Sequence, residues 1–487
     1  MKMNILIITM LALIFSSCSE SNGGEEPPEP THELSVEPTN ISAFAEGSES
    51  NISIKSNTTW RITYDNSSFF RPSITTAKGD ATVKITIDEN QQAEERNGTL
   101  TIIDSDETLE EIIITINQEA GEEVIDPEIP DYIEPDMTGV ESTASELANK
   151  MIVGWNIGNS LEVPGGETGW GNPKVSETLI QGVKDAGFNA IRIPCAWDSY
   201  LENQEDYTIK ESWLQRVKEV VDCCVSRDMY AIINIHWDGG WLEEHPMYEH
   251  QDAVNEKQAA IWKQIAKYFR DYNEHLMFAG TNEVRENYGN PSTENIEVQE
   301  SYVQTFVDAV RATGGRNTYR NLVVQTYNTN IDHGVNYHTM PSDDTENRLI
   351  VEAHYYDPYE FTIKTDEGYK TQWGEGYTDV TDWGQEDHLE AQFQKLKTKY
   401  IDNNIPVIIG EYSAMLRGDM PADQQALHEA SRNYYHQKVN EIAKANGITT
   451  FYWDNGYTDK DASGLFNRST GEQVHTEAIE AIINVYN

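Results

Sequence analysis

Eight short apolar runs, spaced along residues 137–487, constrain this chain of 487 residues more than any other feature. They are Met151–Trp155, Ala190–Ile193, Met229–Ile235, Leu276–Ala279, Asn321–Gln325, Leu349–Ala353, Pro406–Ile409 and Thr449–Trp453. Each is continuous rather than alternating, rich in β-branched side chains, and most are separated by amphipathic stretches of helix length. A strand apolar on both faces is buried on both faces, which is the condition of a parallel sheet covered by crossover helices. Closing eight such units on themselves predicts an α/β fold, a (β/α)8 TIM barrel. An open doubly wound sheet is the alternative, and it wants a Gly-rich phosphate loop after its first strand; Gly154-Trp155-Asn156-Ile157-Gly158-Asn159 lacks that spacing. The region exceeds the ~250 residues typical of the barrel, so several loops are enlarged.

The residues before it divide into four. In 1–18, one Lys precedes the apolar run Ile5–Phe15, too short to span a bilayer permanently, and Ser16-Ser17-Cys18 follows. This reads as an export signal that resembles the bacterial lipobox, with Cys18 as the lipidated first residue of the mature protein and a localisation at the cell surface or outer membrane; Phe15, where Leu is usual, departs from the pattern. Ordinary cleavage beside an incidental Cys is the alternative. Residues 19–33 hold five Glu, three Pro and no Lys or Arg, the composition of an extended acidic tether. Residues 34–118 alternate in short runs such as Ile52-Ser53-Ile54 and Val83-Lys84-Ile85-Thr86-Ile87 between Asn, Gly, Ser and Asp clusters, predicting a small all-β, immunoglobulin-like sandwich. Residues 119–136, with eight acids and Pro127, Pro130 and Pro135, read as a second linker. Within the sandwich, Trp60-Arg61-Ile62, Asn90–Arg96, Gly98-Thr99-Leu100 and Ile116-Asn117-Gln118 resemble the Bacteroidetes-associated carbohydrate-binding often N-terminal (BACON) domain. Few aromatics in it look available as a sugar platform, which favours a spacer over a binding module.

Charge narrows the partners. Lys and Arg total 35 against 82 Asp and Glu, a net charge of −47, which repels nucleic acid and anionic head groups. The four cysteines, at 18, 195, 223 and 224, have neither metal-ligand spacing nor a disulfide framework, so no metal, cofactor or specific disulfide is predicted. Eleven Trp and twenty-five Tyr in so acidic a chain point to a neutral ligand with flat apolar faces, of which sugar is the commonest.

In such a barrel the chemistry lies where the strands end. The groups there are Asn156 and Asn159, Arg192, His236 and Trp237, Asn282 and Glu283, Tyr327 and Asn328, His354 to Tyr356, Glu411 and Tyr412, and Trp453 and Asp454. A polar group at one strand end is ordinary; eight of eight line a cleft for a neutral polyol. Glu283 and Glu411, after the fourth and seventh runs, face each other across the mouth, as a retaining glycosidase needs carboxyls ~5–5.5 Å apart, one attacking the anomeric carbon and one protonating the leaving oxygen. Arg192 can hold the nucleophile ionised, Asn282 can donate to a sugar 2-hydroxyl, Tyr356 can bond the nucleophile and Trp453 can stack beneath the ring.

Ala190-Ile191-Arg192-Ile193-Pro194, Thr281-Asn282-Glu283, His354-Tyr355-Tyr356, Gly410-Glu411 and Trp453, in that order, resemble the motifs of glycoside hydrolase family 5. The resemblance implies Glu283 as acid/base and Glu411 as nucleophile, with Arg192, His236, Asn282, His354, Tyr356 and Trp453 completing the sugar site. Trp170-Gly171-Asn172-Pro173 and His236-Trp237-Asp238-Gly239-Gly240-Trp241 are similar to the endo-β-1,4-glucanase subgroup that includes surface-anchored xyloglucanases, adding Trp170, Asn172, Trp237 and Trp241 to the expected binding residues, beside Asn156 at the end of the first strand. Stacking faces on Trp170, Trp237, Trp241, Tyr359 and Trp373 favour attack inside a polymer. Xyloglucan is the expected substrate, with unbranched or mixed-linkage β-glucan and then mannan as alternatives. From another class, a non-catalytic glycan-binding lipoprotein would need the aromatics but not the paired glutamates. His236, Asp238 and His245 could be drawn as a metal site, but turn-like residues separate them. Trp262 and Phe269, i to i+7, read as helix packing, and Cys223-Cys224 as a packed thiol with its neighbour.

Overall fold

The computed structural model describes residues 32–64, 69–90, 92, 94–106, 108–121 and 129–487. The leader with its Cys18, and the tether as far as residue 31, lie outside the described residues. The chain divides into two compact units between Glu128 and Ile129.

The first unit is a sandwich. One sheet runs Leu34–Glu37, Ser48–Ser56, Ala81–Ile87, Phe70–Pro72, and the other Asn40–Ala43, Ile112–Gln118, Arg96–Asp104, Thr59–Tyr64, Thr76–Lys78. Alternation decides which side faces in: Val83, Ile85 and Ile87 are buried while Thr82 and Lys84 are exposed. Trp60 lies at the centre of the core and donates its Nε1–H to the Gly79 carbonyl at 2.9 Å, so it offers no face to a ligand.

The second unit is the expected barrel. Eight parallel strands close on themselves in chain order: Gly154–Ile157, Ala190–Ile193, Tyr230–Asn234, Leu276–Ala279, Leu322–Gln325, Leu349–Tyr355, Val407–Tyr412 and Thr449–Asp454. Inward-facing Ala190, Ile232, Met277, Val323, Ile350, Ile408 and Phe451 form one apolar cluster with Leu147 and Met151, which helix Ala144–Lys150 brings against it. That helix starts on a capping box between Thr143 and Glu146. Outward-facing Ile191, Ile193, Ile233 and Phe278 pack instead with the surrounding helices, whose Trp262 and Phe269 are fully buried as their spacing predicts. Two residues beyond the inner apolar layer the same parity falls on Arg192, Asn234, Gln325 and Glu352, all buried. The barrel is therefore apolar at one end and polar towards the other, and the side-chain period alone sets the boundary.

Two boundaries differ from expectation. The first strand begins at Gly154 rather than Met151, because Met151 still caps the preceding helix with its N–H on the Leu147 carbonyl. The linker expected over 119–136 is shorter, since both ends are packed. Glu119 and Gly121 bond to the sandwich, while Ile133 exchanges backbone hydrogen bonds with Thr313 and Gly315 of the barrel and Asp131 pairs with Lys263 and Lys267.

Candidate active site

The polar end of the barrel is organised by Arg192. Its guanidinium is fully buried and meets two carboxylates, Glu411 Oε1 at 2.8 Å from Nη1 and Glu352 Oε1 at 3.0 Å from Nε. It also donates to Asn156 Oδ1 at 3.1 Å and Asn282 Oδ1 at 2.8 Å. Glu411 reaches this position through an irregularity: pairing between the sixth and seventh strands slips one residue between Ala353–Ile409 and His354–Glu411, which leaves Gly410 as the extra residue. Tyr356 donates its hydroxyl to Glu411 Oε2 at 3.0 Å. Across the mouth, Glu283 Oε1 and His354 Nδ1 are 2.7 Å apart. An oxygen of Glu283, an oxygen of Glu411 and a ring nitrogen of His354 all lie within 4.8 Å of one another. So close an approach of two carboxylate oxygens agrees with a retaining pair, whose carboxyls stand ~5–5.5 Å apart, rather than an inverting one at ~6.5–9.5 Å with room for a water.

The charges follow from the partners. Burial drags the His354 imidazole down, but Glu411 and hydrogen bonds to Glu283 and Glu352 overcome it and push it up to about 10. Burial and the charge of Glu283 hold Glu411 above the ordinary carboxylate range, opposed by His354, Arg192 and the Tyr356 hydroxyl. Burial would raise Glu283 too, yet the bond from protonated His354 holds it low. These directions describe a resting state with the proton on His354. Moving it across the 2.7 Å contact gives neutral imidazole beside a protonated Glu283, the form an acid catalyst needs.

The remaining predicted residues separate into those that face the cleft and those that brace it. His236 stacks on Trp453, ring centres 5.6 Å apart and planes within 7°. Burial, Arg192 and His354 hold it well below the usual imidazole range, so it faces the cleft neutral. Trp170, 40% exposed, lies 6.4 Å from Trp237, and because His236 and Trp237 are consecutive the two ring pairs follow one another at the ends of the first, third and eighth strands. A cleft of about 850 Å³ opens over Glu283, Glu411 and Trp453, walled by Tyr288, Asn328, Asp332 and Tyr359.

Four expectations are corrected. Trp373 is wholly buried against Tyr434 and Tyr435, with its Nε1–H on the Gly384 carbonyl, so it cannot stack on a sugar. Asn156 is also fully buried and spends its amide on the Gly410 carbonyl and Arg192; it holds catalytic groups rather than substrate. Asn172 bonds the Asn159 and Asn455 carbonyls and ties the first loop to the last. Trp241 gives its Nε1–H to Asp238 and one ring face to Lys257, 4.4 Å away, bracing the third loop. Asp238 in turn accepts from the Trp197 and Asp198 backbones, and His245 bonds the Gly240 carbonyl, so these two are loop scaffolding and only His236 of the three belongs to the cleft.

Three functional residues went unpredicted. Glu352 pairs with Arg192 and His354. Glu243, also buried, accepts from Asn282 Nδ2 at 2.9 Å and from the Glu283 backbone at 3.2 Å, which fixes the orientation of the Asn282 amide and leaves its second N–H for a ligand. Arg285 pairs with Glu243, stands 3.8 Å from Glu283 and covers the Tyr288 ring at 4.6 Å. The signal in the sequence was a carboxylate inside an apolar strand for Glu352; nothing marked Glu243 among its acidic neighbours.

The model of the family described as Cellulase (glycosyl hydrolase family 5) matches residues 155–459, and that of a putative N-terminal binding domain, BACON, matches 58–119. A xyloglucan-specific endo-beta-1,4-glucanase of Bacteroides ovatus is 40% identical, covering 100% of this chain and 97% of its own. An endoglucanase A of Paenibacillus barcinonensis is 37% identical over 70% of this chain and 90% of its own. Among solved structures, a Bacteroides ovatus xyloglucanase in complex with a XXXG heptasaccharide superposes with a TM-score of 0.71 at 39% identity, over 94% of this chain and 100% of that one. With the family match running from the first barrel strand past the last, and a relative alike along the full length, this chain belongs to glycosyl hydrolase family 5.

Proposed function

We propose that the protein is a retaining endo-β-1,4-glucanase whose substrate is xyloglucan. The observation that carries the hydrolase reading is the carboxylate pair within 4.8 Å, one member charge-paired with Arg192 and the other proton-paired with His354. Glu411 attacks the anomeric carbon while the proton on Glu283 passes to the glycosidic oxygen, which departs as a hydroxyl with the bonding electrons. Water then gives a proton to Glu283 and its oxygen to the anomeric carbon, the bond to Glu411 breaks, and the configuration is restored. Trp170, Trp237, His236 and Trp453 supply ring faces on the glycone side. The cleft over Glu283 is open, with Asn328, Asn330 and Asp332 interspersed among the rings of Tyr288 and Tyr359, room that suits a branched glucan. The full-length relative and the similar heptasaccharide complex support xyloglucan in particular. Product profiles from xyloglucan, carboxymethyl cellulose, lichenan and mannan test this: the reading expects large oligosaccharides released fastest from xyloglucan, and mannan or lichenan as the better substrate would overturn it.

The same reading places the enzyme at the cell surface, held through a lipid on Cys18, with the sandwich as a spacer. Exposed Phe44 stands outside its core, while the ring pairs among its described residues, Tyr64–Phe70 and Phe69–Phe70, both close on the fully buried Phe70. Cys18→Ala should move the protein to a soluble fraction with its activity on dissolved polysaccharide intact; unchanged membrane partition would exclude the anchor.

A further inference from the structure

Glu352 is a carboxylate in a strand whose neighbours Val351 and Ala353 are apolar, it is 0% exposed, and the double displacement just described gives it no task. It is nonetheless accommodated with care. Arg192 Nε faces Oε1 at 3.0 Å, Gln325 Nε2 donates to Oε2 at 2.6 Å, and His354 Nε2 lies 3.0 Å from Oε1. The seventh strand also yields space, since a Cβ on Gly410 would stand 2.0 Å from Glu352 Oε1. Burying a carboxylate carries a desolvation cost that pairing repays only with good geometry, and an apolar residue of similar volume would serve packing as well or better.

Its position decides how His354 is protonated. An ionised carboxylate only accepts, so the ring nitrogen facing Glu352 must carry hydrogen, and Nδ1 is the nitrogen left to face Glu283. The Nδ1···Oε1 contact then holds one proton, which belongs either to the imidazole or to the carboxyl. The other charged and titratable groups near the ring are Glu411, with Oε2 3.7 Å from Nδ1, Arg192 and Tyr356 on that carboxylate, Arg285 beside Glu283, and His236.

We propose that Glu352 is a positioning residue that locks His354 with Nε2 protonated, so that Nδ1 and Glu283 hold between them the proton delivered to the leaving oxygen. This rests on the hydrolase reading above. Over one turnover the Glu283–His354 unit releases one proton to the leaving oxygen and recovers one from the attacking water, so its count is unchanged; Glu352, fully buried, exchanges none.

The test is Glu352→Gln, which keeps the shape, removes the charge, and offers an amide that can donate to Nε2. Without the nearby negative charge the shared proton is held less tightly, so the alkaline limb of kcat/KM moves to lower pH, by about one unit or more. On a glucan, whose leaving group needs the acid, kcat/KM falls ~10–100-fold, whereas on a 2,4-dinitrophenyl cello-oligosaccharide it falls less than ~3-fold. Glu352→Asp, which retains the charge, brings the limb back towards the parent. Equal losses on both substrates with an unmoved limb would mark a packing role and overturn the inference. Should Glu352→Gln not fold, the imidazole ¹⁵N signals of His354 in the unaltered protein decide: once alkali has taken the ring's first proton, the neutral ring keeps its hydrogen on Nε2, and a bare Nε2 refutes the proposal. Failure of the hydrolase reading itself would look different, as absent or inverting hydrolysis by the unaltered enzyme.

Discussion

Replacing Tyr356 by Phe removes a single oxygen whose role the geometry defines. The hydroxyl donates to Glu411 Oε2 at 3.0 Å, and it bonds the ionised form. Burial pushes the Glu411 carboxyl up, and the hydroxyl is one of the groups, with His354 and Arg192, that oppose the shift. A hydrogen bond to a charged group contributes ~1.5–3 kcal/mol, and each pKa unit corresponds to ~1.4 kcal/mol, so the Glu411 pKa should rise by about one to two units in the variant. The sign follows directly. The nucleophile must be ionised in the free enzyme, so the acid limb of kcat/KM moves to higher pH and the loss is greatest in acid. On the plateau the effect is smaller, because charge on Glu411 is already being spent in the transition state. The assay is kcat/KM for an aryl cello-oligosaccharide across both limbs, with a thermal melt to confirm that the fold persists. An acid limb that stays in place, or moves to lower pH, would refute the assignment of Tyr356 as a donor to an ionised nucleophile.

Glu283→Ala should reduce turnover of natural glucans ~10²–10⁴-fold while activated aryl glycosides still form the glycosyl-enzyme, and azide should then release a β-glycosyl azide; Glu411→Ala with azide should give the α-anomer, as the product stereochemistry reports. Trp170→Ala and Trp237→Ala each forgo about 1 kcal/mol of apolar contact, roughly fivefold in KM on polymer with kcat retained, as steady-state kinetics would read. Trp373→Ala, by contrast, empties a core position and should lower stability by ~3–5 kcal/mol with KM unchanged while the protein is folded; a changed KM at unaltered stability would return Trp373 to the cleft.

The barrel was legible because its strands are buried on both faces: continuous runs such as Leu276–Ala279 mark a parallel sheet, and the missing Gly-rich loop after the first run weighs against the open form. The catalytic pair was legible because each glutamate follows such a run. Less could be read where a residue type has two common uses. Trp373 sits in a loop rich in Gly and Asp, which suggests exposure, yet that loop folds back so that Tyr434 and Tyr435 enclose the ring. Asn156 and Asn172 stand where sugar ligands stand, but an amide serves a backbone carbonyl equally well, and only coordinates distinguish the two. Glu352 was hidden by its neighbours: inside Leu349–Ala353 it reads as one polar interruption, and its meaning depends on Arg192 and Gln325 from other strands. The linker to Asp136 was overextended for the opposite reason. Its acids suggest solvation, but Asp131 meets Lys263 and Lys267, cations that lie more than a hundred residues away in sequence.

The central claim is that Glu411 bonds covalently to the sugar, and a slow 2-deoxy-2-fluoro cello-oligosaccharide with a good aryl leaving group tests it most directly. The fluorine slows both steps, the leaving group rescues the first, and the intermediate accumulates. Mass spectrometry of the digested protein should find one added glycosyl group on the peptide carrying Glu411, and NMR of the natural reaction should show the β-anomer formed first. A label on Glu283 or any other residue, or an α-anomer as first product with no label at all, would contradict the account.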